Sequence, residues 1–578
     1  QSMNCLLKIL NFYKILLLEI DETNADFEDY EVIVTGTIAD VIEGEEYRFY
    51  GQLVTHPKYG QQLQVSRYER SKPTSAGLIK YFSSEHFKGI GRKTAEKIVE
   101  LYGENTIDHI LAEPEKLTAI RGLSAKNRQL FLDTLRINYG TEMILAKLAE
   151  YGIPNKLAFQ IQDTYKEKTL SIIEENPYQL VEDIQGMGFI IADKIAENLG
   201  IDSHSPQRFR AGLLYSLLQQ SLETGDTYVE ARDLLEASLN VLEQARQVEL
   251  DPAAVAQELT GLIAEGKLQQ IGTKIFDNSL YFAEEGIKKS LTRLLEKNSL
   301  ETFERAEIEA AITYLEKESG IHYDSIQKEA IVQAINNPLF ILTGGPGTGK
   351  TTIINGIIAV YALLHKLNLT KSTGEVPILL AAPTGRAARR MNELTGLPSA
   401  TIHRHLGLTE DQGESYREDY LDADFIIVDE FSMVDTWLAN QLFQNISSNS
   451  QVLIVGDAEQ LPSVSPGQVL ADLLKIPVLP SIALEKIYRQ AEDSTIVHLA
   501  SQIRQGYLPA DFREKKADRS YFEAQNEQIP AMVERIVSAA VNSGIPADQV
   551  QILAPMYRGL AGIDNLNKLT QALLNPLE

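Results

Sequence analysis

The chain has 578 residues, and domains of roughly 150 residues would divide this length into about four. With 44% hydrophobic and 23% charged residues, the composition is that of a globular protein and excludes a largely disordered, collagen-like or membrane-embedded chain. The 54 Lys and Arg against 80 Asp and Glu give a formal net charge of −26, so a nucleic acid could bind only where basic residues are gathered locally. Cys5 is the only cysteine, which excludes an internal disulfide or a cysteine-rich zinc site and favours a reducing, cytoplasmic setting.

The first predicted domain, residues 1–73, is rich in β-type segments. Its opening apolar stretch, Leu6 to Ile20, is interrupted by Lys8 and Lys14 and is shorter than the about 20 residues that a transmembrane helix needs. We interpret this stretch as a buried pair of strands, not as a signal or a membrane anchor. The short β segments that follow, separated by turns, predict a small OB-like β-barrel.

Residues 74–204 have helical periodicity and repeat one pattern, a glycine-containing turn that opens a helix. The copies are Phe87-Lys88-Gly89-Ile90-Gly91, Ile120-Arg121-Gly122-Leu123-Ser124 and Ile184-Gln185-Gly186-Met187-Gly188. They resemble tandem helix-hairpin-helix units, in which backbone N–H groups at a helix N-terminus contact a DNA phosphate. Gly89 and Gly91, beside Lys88, Arg92 and Lys93, form the best DNA-binding candidate. A helix-packing turn is the alternative there, and it is the favoured interpretation of the other two copies.

Residues 205–317 read as a linker domain in which amphipathic helices alternate with short strands. Strands are expected at Thr227–Val229 and at Leu280–Phe282. This order is compatible with a winged-helix module, and a plain helical spacer is the alternative.

The pattern changes at Pro338, where an apolar strand leads into a glycine-rich loop and then an apolar helix. The loop contains Gly345, Pro346, Gly347, Thr348, Gly349, Lys350, Thr351 and Thr352, which matches the phosphate loop G-x-x-x-x-G-K-[ST] in its strand–loop–helix context. Its glycines let backbone N–H groups turn toward the phosphates, Lys350 contributes a point charge, and the Thr351 hydroxyl is a ligand for Mg²⁺. The sequence therefore predicts an ATP site.

Two further apolar strands end in polar residues. Phe425–Val428 ends at Asp429 and Glu430, and Val452–Val455 leads to Gln460. Because ligands bind at the carboxyl ends of parallel strands, Asp429 is expected in the Mg²⁺ shell, Glu430 as the base for the attacking water, and Gln460 as a γ-phosphate sensor.

With these residues in place, the chain resembles a superfamily 1 helicase, and in detail the RecD-like DNA helicases in their stand-alone bacterial form. The resemblance rests on seven consecutive blocks that occur in the order typical of the family. In chain order, the blocks are Ser325-Ile326-Gln327, the phosphate loop, Ala382-Pro383-Thr384-Gly385-Arg386-Ala387-Ala388, Thr401-Ile402-His403-Arg404, Asp429-Glu430-Phe431-Ser432-Met433, Gly456-Asp457-Ala458-Glu459-Gln460 and Ile487-Tyr488-Arg489-Gln490. It implies a multidomain α/β fold, with a RecA-like motor lobe at 318–475 and a partial second lobe at 476–578 behind the barrel and helical domains. In the second lobe, Gln551-Ile552-Leu553-Ala554-Pro555-Met556-Tyr557-Arg558-Gly559 looks like a strand followed by a loop.

The resemblance also implies roles for single residues. Gln327 would read the adenine, and Arg489 would reach the γ-phosphate from the second lobe. Thr384, Arg386 and Arg404 would line a track for single-stranded DNA, and Arg389 and Arg390 either join this track or form a solvated helix face. His403 either contacts the DNA or caps the next turn, and we favour a structural role for its ring. A polar stretch near 406–421 would be a strand-separating pin or a plain surface loop.

The family's last motifs have no counterpart in the sequence, so we expect a C-terminally truncated chain that hydrolyses ATP slowly and unwinds poorly. As a helicase, the protein would act as a monomer on single-stranded DNA and on junctions of single and double strands, in repair or recombination, with ATP and Mg²⁺ and with 5′ to 3′ polarity. The alternatives are an ATP-gated DNA-binding adaptor and another P-loop ATPase of the remodeller class.

Overall fold

The structure of the protein is a computed structural model. It describes residues 13–20, 23–25, 27, 30–38, 47–56, 60–70, 75–84, 87–103, 106–184, 186–296, 300–345, 347–369, 377–408, 421, 423–484 and 494–575. The chain forms two compact units, one of residues 1–344 and 350–484 and the other of residues 345–349 and 485–578. Pro346, Arg489 and most of the expected pin lie outside the described residues.

The strands are β1 (Tyr13–Glu19), β2 (Glu31–Thr37), β3 (Tyr47–His56), β4 (Gly60–Arg70), β5 (Val229–Glu230), β6 (Leu268–Ile271), β7 (Lys274–Asp277), β8 (Leu339–Gly344), β9 (Ile378–Ala382), β10 (Ser399–Thr401), β11 (Phe425–Val428), β12 (Gln451–Gly456) and β13 (Ser481–Leu484). The helices before the motor are α1 (Ser75–Phe82), α2 (Arg92–Tyr102), α3 (Thr106–Ala112), α4 (Ala125–Glu150), α5 (Asn155–Tyr165), α6 (Thr169–Glu175), α7 (Gln179–Asp183), α8 (Phe189–Asn198), α9 (Pro206–Thr224), α10 (Ala231–Arg246), α11 (Pro252–Ala264) and α12 (Asn278–Leu295). The remaining helices are α13 (Arg305–Ser319), α14 (Ser325–Asn336), α15 (Lys350–Leu364), α16 (Gly385–Thr395), α17 (Ile402–His405), α18 (Thr436–Asn445), α19 (Val469–Leu473), α20 (Thr495–Arg504), α21 (Ile529–Asn542) and α22 (Ile563–Leu574). Short 3₁₀ helices cover Pro114–Ala119, Lys166–Lys168, Phe431–Met433, Asn526–Gln528 and Ala547–Gln549.

The N-terminal strands form one four-stranded sheet in the order β1-β2-β4-β3. Its small core contains Val32, Val34 and Ile38. Of the stretch Leu6 to Ile20, expected to be a buried pair of strands, only residues 13–20 are described. They contain strand β1, and the expected burial is wrong for Ile15 and Leu17, which are 70% and 64% exposed. Alternate side chains of a strand face opposite sides of a sheet, so only one side of β1 packs on the core.

The three glycine-containing turns share one backbone feature. Gly89, Gly122 and Gly186 have φ angles of +89°, +98° and +89°, which favour glycine. Gly91 and Gly188 then stand at the N-caps of α2 and α8. The first two turns also belong to one hydrophobic core, built around aromatic residues of the segment 78–135.

Helices α9 to α12 surround a small antiparallel sheet with the order β5-β7-β6. The strand expected at Leu280–Phe282 is wrong, since these residues lie in helix α12. Asp277 caps this helix by accepting a hydrogen bond from the Ser279 backbone N–H at 2.8 Å. Leu280, Ala283 and Ile287 are buried along α12, which is the spacing of a helix face.

The motor is a six-stranded parallel sheet with the order β10-β9-β11-β12-β8-β13. Successive side chains of each central strand pack into the two hydrophobic cores on opposite faces of the sheet. Phe340 and Leu453 belong to the core on one face, and Ile341 and Ile454 belong to the core on the other. Strand β13 lies beyond the expected lobe boundary at residue 475, and it pairs with β8. The first motor sheet therefore extends to Leu484.

Helix α12 covers one face of the motor sheet although it precedes the motor in sequence. Its residues Ile287, Leu291 and Leu294 belong to the same core as the motor strands. The helix approaches α18 so closely that a Cβ at Gly286 would lie 2.1 Å from Asn440 Oδ1. Trp437 Nε1 on α18 donates a hydrogen bond to Ser279 Oγ at 3.1 Å. The linker domain and the motor thus share a hydrophobic core.

The second unit contains helices α20, α21 and α22. The strand expected at 551–554 is wrong, because the described residues of this segment form no strand and Leu553 is 86% exposed. A strand needs hydrogen-bonded neighbours, and the described part of this unit offers no other strand to pair with it. Over the described residues of the whole chain, every helix is too short or too polar to cross a bilayer.

Candidate nucleotide site and DNA-binding surface

Three adjacent strands of the motor sheet bring the expected nucleotide residues to one edge. Strands β11, β12 and β8 are neighbours and run in the same direction, so their carboxyl ends meet. Asp429 follows β11, Asp457 follows β12, and the phosphate loop follows β8. In doubly wound sheets this edge is where ligands bind.

The phosphate loop has the backbone that its glycines permit. Gly347 and Gly349 have φ angles of +77° and +88°. Thr348 is 3% exposed, and its hydroxyl donates a hydrogen bond to the Gly345 carbonyl at 2.8 Å. Helix α15 begins at Lys350, whose Nζ donates to the carbonyl of Gly344. Thr351 and Thr352 follow in the first turn of this helix, where backbone N–H groups are available to an anion.

Asp429 and Glu430 occupy the end of β11 in an unusual backbone geometry. Glu430 has a φ of +52°, and its backbone N–H donates to Asp429 Oδ1 at 2.8 Å. Burial raises the pKa of Asp429 to about 6, and the Glu430 charge adds to this, while the Glu430 N–H, Lys350 and Arg390 oppose it. A carboxyl that is costly to charge in the free protein is suited to a cation that compensates its charge.

The residues at this edge fit ATP with Mg²⁺. Mg²⁺ is commonly held by one or two protein oxygens together with phosphates and water. The Thr351 hydroxyl and the Asp429 carboxylate supply such oxygens. Among the described residues, no group of three or more His, Cys, Asp and Glu side chains could hold a metal by itself.

The loop after β12, residues 457–467, carries Gln460 and is called here the sensor loop. Gln460 is exposed, and its backbone N–H donates to the Asp457 carbonyl at 3.1 Å. At the other end of the loop, the Gly467 N–H donates to the Gly225 carbonyl, at the C-terminus of α9, at 2.9 Å. The Thr436 N–H donates to the Pro466 carbonyl at 3.1 Å. The sensor loop is thus fastened both to the helix that follows Glu430 and to the linker domain.

Gln327 has a structural role that competes with adenine recognition. It is 5% exposed, and its Oε1 accepts a hydrogen bond from the Asp324 N–H at 3.0 Å. Asp324 Oδ1 in turn accepts from the Gln327 N–H at 2.8 Å, which completes a capping box at the start of α14. Adenine recognition by Gln327 stays a prediction.

The expected DNA-track residues lie at the same edge of the sheet, after β9 and β10. Arg386, His403 and Arg404 are exposed. Thr384 is half-buried and caps α16, where its hydroxyl accepts a hydrogen bond from the Ala387 N–H at 3.2 Å. The strand order places these residues beyond β11, on the side away from β8. They form a cationic extension of the nucleotide edge.

The structure also brings the first two glycine turns together. Asn127, in the second hairpin, lies so close to Gly89 that a Cβ there would be 2.5 Å from Asn127 Nδ2. Nothing lies within 4 Å of the position of a Cβ at Gly91. The exposed cations of these two turns are Lys88, Arg92, Lys93, Arg121 and Lys126. The second turn therefore adds positive charge beside the first. This proximity is not evident from the sequence of either turn alone.

Sequence reasoning missed two further contributions to this edge. Arg390, assigned to the DNA track or to a solvated face, lowers the pKa of Asp429 and so acts electrostatically on the nucleotide site. His405 Nε2 lies 2.9 Å from the Leu380 carbonyl and supports the end of β9. Burial lowers the pKa of His405, so its ring is neutral at pH 7. In this block the sequence had indicated only the adjacent His403 and Arg404 as candidates.

Comparison with known proteins gives family matches to three parts of the chain. The models are "ATP-dependent DNA helicase YrrC, OB-fold domain" over residues 10–73, "ATP-dependent RecD2 DNA helicase HHH domain" over 137–228 and "AAA domain" over 327–466.

Similar proteins extend these matches over nearly the whole chain. The ATP-dependent RecD2 DNA helicase of Deinococcus radiodurans is 26% identical over 96% of this chain and 76% of its own length. The RecD subunit of the RecBCD enzyme of Mycolicibacterium smegmatis is 34% identical over 43% of this chain and half of its own. A crystal structure of the Pif1 helicase from Candida albicans matches 40% of this chain and 56% of that chain at 21% identity, but its TM-score of 0.27 is too low to indicate a shared overall fold.

The OB-fold match agrees with the strands before residue 71, and the helical match contains the third glycine turn. The AAA match begins at Gln327 and ends at Pro466, so it contains the phosphate loop, Asp429 and the sensor loop. Together with a relative that matches 96% of this chain, these findings confirm the expected resemblance to the RecD2-type ATP-dependent DNA helicases.

Proposed function

We propose that this chain is an ATP-driven motor that moves on single-stranded DNA and separates strands at a junction. The observation that carries the proposal is the convergence of Lys350, Asp429–Glu430 and the sensor loop at the ends of three adjacent parallel strands. Lys350 and the loop N–H groups would bind the phosphates, and Thr351 and Asp429 would hold Mg²⁺, which neutralises phosphate charge when bound. Glu430 is the candidate base, and Gln460 is the candidate sensor of the γ-phosphate.

The proposed single-strand track continues from this site across β9 and β10. Arg386 and Arg404 contribute charge, and His403 and the Thr384 backbone region contribute polar contacts to a phosphate chain. Arg489 lies outside the described residues, and its contact with the γ-phosphate stays a prediction. The polarity of movement, 5′ to 3′, and action as a monomer are part of the same proposal.

A tailed-duplex assay with the chain in excess tests this function. We expect the wild type to displace a strand slowly in the presence of ATP and Mg²⁺, with a preference for a 5′ tail, and to hydrolyse ATP in a single turnover. Lys350→Ala should lose both activities, because the charge that binds the β- and γ-phosphates is gone. The control is Lys475→Ala, which removes an exposed lysine that pairs only with Asp472 three residues away. Hydrolysis without displacement on either tail would instead indicate an ATP-gated adaptor.

We propose in addition that Gly89 and Gly91 bring backbone N–H groups to a DNA phosphate, assisted by the cations of the first two turns. Support comes from their exposure and from the segments 87–93 and 120–128, which hold six Lys and Arg and no Asp or Glu in a chain of net charge −26. Phosphate contacts of this kind carry little sequence information.

Salt dependence tests this second contact. Lys88→Glu with Lys93→Glu should weaken duplex binding several-fold and lower the slope of log K against log salt by about 2, one for each lost phosphate contact. The exposed Lys267, in the β6–β7 region, gives a matched control as Lys267→Glu. An unchanged slope in the double variant would contradict a role of these turns in DNA binding.

A further inference from the structure

A buried hydroxyl beside the nucleotide site has no part in the interactions described so far. Ser432 lies in the 3₁₀ turn Phe431–Met433, directly after Glu430, and is 9% exposed. Within the described residues, its Oγ has no hydrogen-bond partner. Burying a hydroxyl in this way costs roughly 1–3 kcal/mol. An alanine at this position would avoid the cost, so the hydroxyl calls for a functional explanation.

The position of Ser432 indicates what this explanation is. The turn lies against the end of β12, where a Cβ at Gly456 would stand 3.2 Å from the Ser432 backbone nitrogen and 3.3 Å from that of Phe431. Both distances are tight for a Cβ atom, and the same Cβ would lie 2.7 Å from Leu470 Cδ2, so glycine favours this close approach. The segment that carries Asp429 and Glu430 therefore meets the segment that leads into the sensor loop at this point.

The next residue of the sensor loop is an acidic group within this contact region. Asp457 is 3% exposed, and its Oδ1 accepts a hydrogen bond from the Glu459 N–H at 3.1 Å. Its carbonyl accepts from the N–H of Gln460, so a movement of Asp457 also moves Gln460. A hydroxyl that donates to the Asp457 carboxylate would fix both residues at once.

We propose that Ser432 is a positioning residue for the sensor loop, acting when a triphosphate is bound. Among the described residues its hydroxyl has no hydrogen-bond partner of its own. When Gln460 engages the γ-phosphate, the sensor loop shifts and the Ser432 hydroxyl donates a hydrogen bond to the Asp457 carboxylate, which holds Gln460 in place. This inference rests on the proposed ATP site and adds to it a link between the Glu430 turn and the sensor loop.

The chain provides a matched control for this proposal. Ser216 on α9 is 2% exposed, and its Oγ likewise has no partner among the described residues. It belongs to the linker domain, and the proposal gives its hydroxyl no role in positioning the sensor loop. Removing either hydroxyl deletes the same chemical group from a buried position, and only one of the two deletions should affect nucleotide binding.

The experiment compares the affinities of the chain for ATPγS and ADP, with Mg²⁺, by calorimetric titration. Ser432→Ala should bind ATPγS about tenfold more weakly, as expected for the loss of one hydrogen bond to a charged group. It should bind ADP within twofold of the wild type, since ADP has no γ-phosphate. Its denaturation midpoint without nucleotide should be unchanged or higher. Ser432→Thr, which keeps the hydroxyl, should retain the ATPγS affinity, and Ser216→Ala should change neither affinity.

Three results would overturn the proposal. These are an unchanged ATPγS affinity in Ser432→Ala, an equal loss for ATPγS and ADP, or a lower stability of the nucleotide-free variant, which would give the hydroxyl a purely structural role. The affinity of the wild type separates this test from that of the proposed function. If the wild type binds neither nucleotide, the ATP site itself is wrong.

Discussion

At the scale of single residues, Glu430 combines a candidate catalytic carboxylate with a strained backbone. Its φ of +52° lies in the left-handed region, where a residue with a side chain costs roughly 1–3 kcal/mol. The strain turns the chain sharply at the end of β11 and directs the following 3₁₀ turn onto β12. Glycine would adopt this conformation without strain. The presence of glutamate therefore indicates that the contribution of its carboxylate to function outweighs the stability that glycine would add.

Substitutions of Glu430 can separate these two contributions. We expect Glu430→Gly to raise the free energy of unfolding by roughly 1 kcal/mol, because the left-handed conformation is no longer costly, and to abolish hydrolysis. Glu430→Gln should keep the stability and the bound nucleotide but stall hydrolysis, because an amide cannot accept the proton of water. Urea denaturation followed by the fluorescence of Trp437, the single tryptophan, measures stability, and single-turnover hydrolysis measures the chemistry. Normal hydrolysis by Glu430→Gln would show that the base is another group.

His405 gives a pH dependence of known sign. Burial lowers the pKa of its ring below the ordinary value of 6.5, so the unfolded chain binds a proton at a higher pH than the folded chain does. The stability that depends on the neutral ring is therefore complete above pH 6.5, and it is lost as the pH falls from there toward the lowered pKa. Denaturation at pH 7.5 and pH 5.5 should show a smaller pH effect in His405→Gln than in the wild type. The exposed His403, as His403→Gln, is the control and should leave the difference unchanged.

At the scale of secondary-structure elements, a buried ionic cluster joins three helices of the central region. Asp193 on α8 is 1% exposed and accepts hydrogen bonds from Arg208 Nε at 2.9 Å, from Arg246 Nη2 at 2.9 Å and from Tyr178 Oη at 2.7 Å. Burial alone would raise the pKa of Asp193, but these three donors hold it below its usual value. The cluster therefore fixes α8, the helix that begins after the third glycine turn, against α9 and α10.

Breaking this cluster should be costly. Asp193→Ala leaves two buried guanidinium groups without their carboxylate, and we expect a loss of about 3–5 kcal/mol in the free energy of unfolding. Tyr178→Phe removes one neutral donor and should cost about 1 kcal/mol. Circular dichroism during urea denaturation measures both. Because the pKa of Asp193 is lowered, its contribution is present above pH 4 and is lost on further acidification, which the wild type should show and Asp193→Ala should not. Equal effects of the two substitutions would contradict the charge-based explanation.

The elements that the sequence predicts best are those whose signal is local. The phosphate loop, the strand before Asp429 and the turn glycines 89, 122 and 186 follow from backbone requirements written in neighbouring residues. The strand expected at Leu280–Phe282 failed because a short apolar run also fits a helix face, and the cap at Asp277 decided for the helix. The strand expected at 551–554 failed because a strand depends on neighbours that its own residues do not specify.

Site residues divide in the same way. Lys350, Asp429 and Glu430 could be predicted because each ends or begins a recognisable element. The burial of Ser432 and the effect of Arg390 on Asp429 could not, since both depend on how β12 and α16 pack against the end of β11. The pairing of the first two glycine turns likewise depends on the contact between Asn127 and Gly89, across 38 residues of chain.

At the scale of the whole first unit, one glycine joins the motor to the domains before it. Gly467 has a φ of +112°, and a Cβ at this position would lie 1.9 Å from Thr436 Oγ1. Its N–H also donates to the carbonyl of Gly225 at the end of α9. This residue therefore ends the sensor loop and contacts both the helix after Glu430 and the linker domain.

Gly467→Ala should consequently destabilise the protein more than an ordinary turn glycine does. We expect a loss of several kcal/mol, from overpacking at about 1–3 kcal/mol together with backbone strain. Gly272→Ala is the matched control, since Gly272 also has a positive φ of +61° but open space around its Cβ position, and it should cost only the strain. Trp437 fluorescence during denaturation reports on both variants. Similar losses would show that Thr436 yields to the added methyl group.

Helix α12 has a practical consequence for dividing the molecule. A protein fragment that starts at residue 318, where the motor's own sequence pattern begins, would leave the face of its sheet around Ile341 and Ile454 without the side chains of Ile287, Leu291 and Leu294. Such a fragment should aggregate when expressed, whereas one that starts before Asp277 should stay in solution. The same dependence means that insertions or deletions between residues 278 and 295 would destabilise the ATPase half of the protein. In packing terms this helix therefore belongs to the motor and not to the domains in front of it.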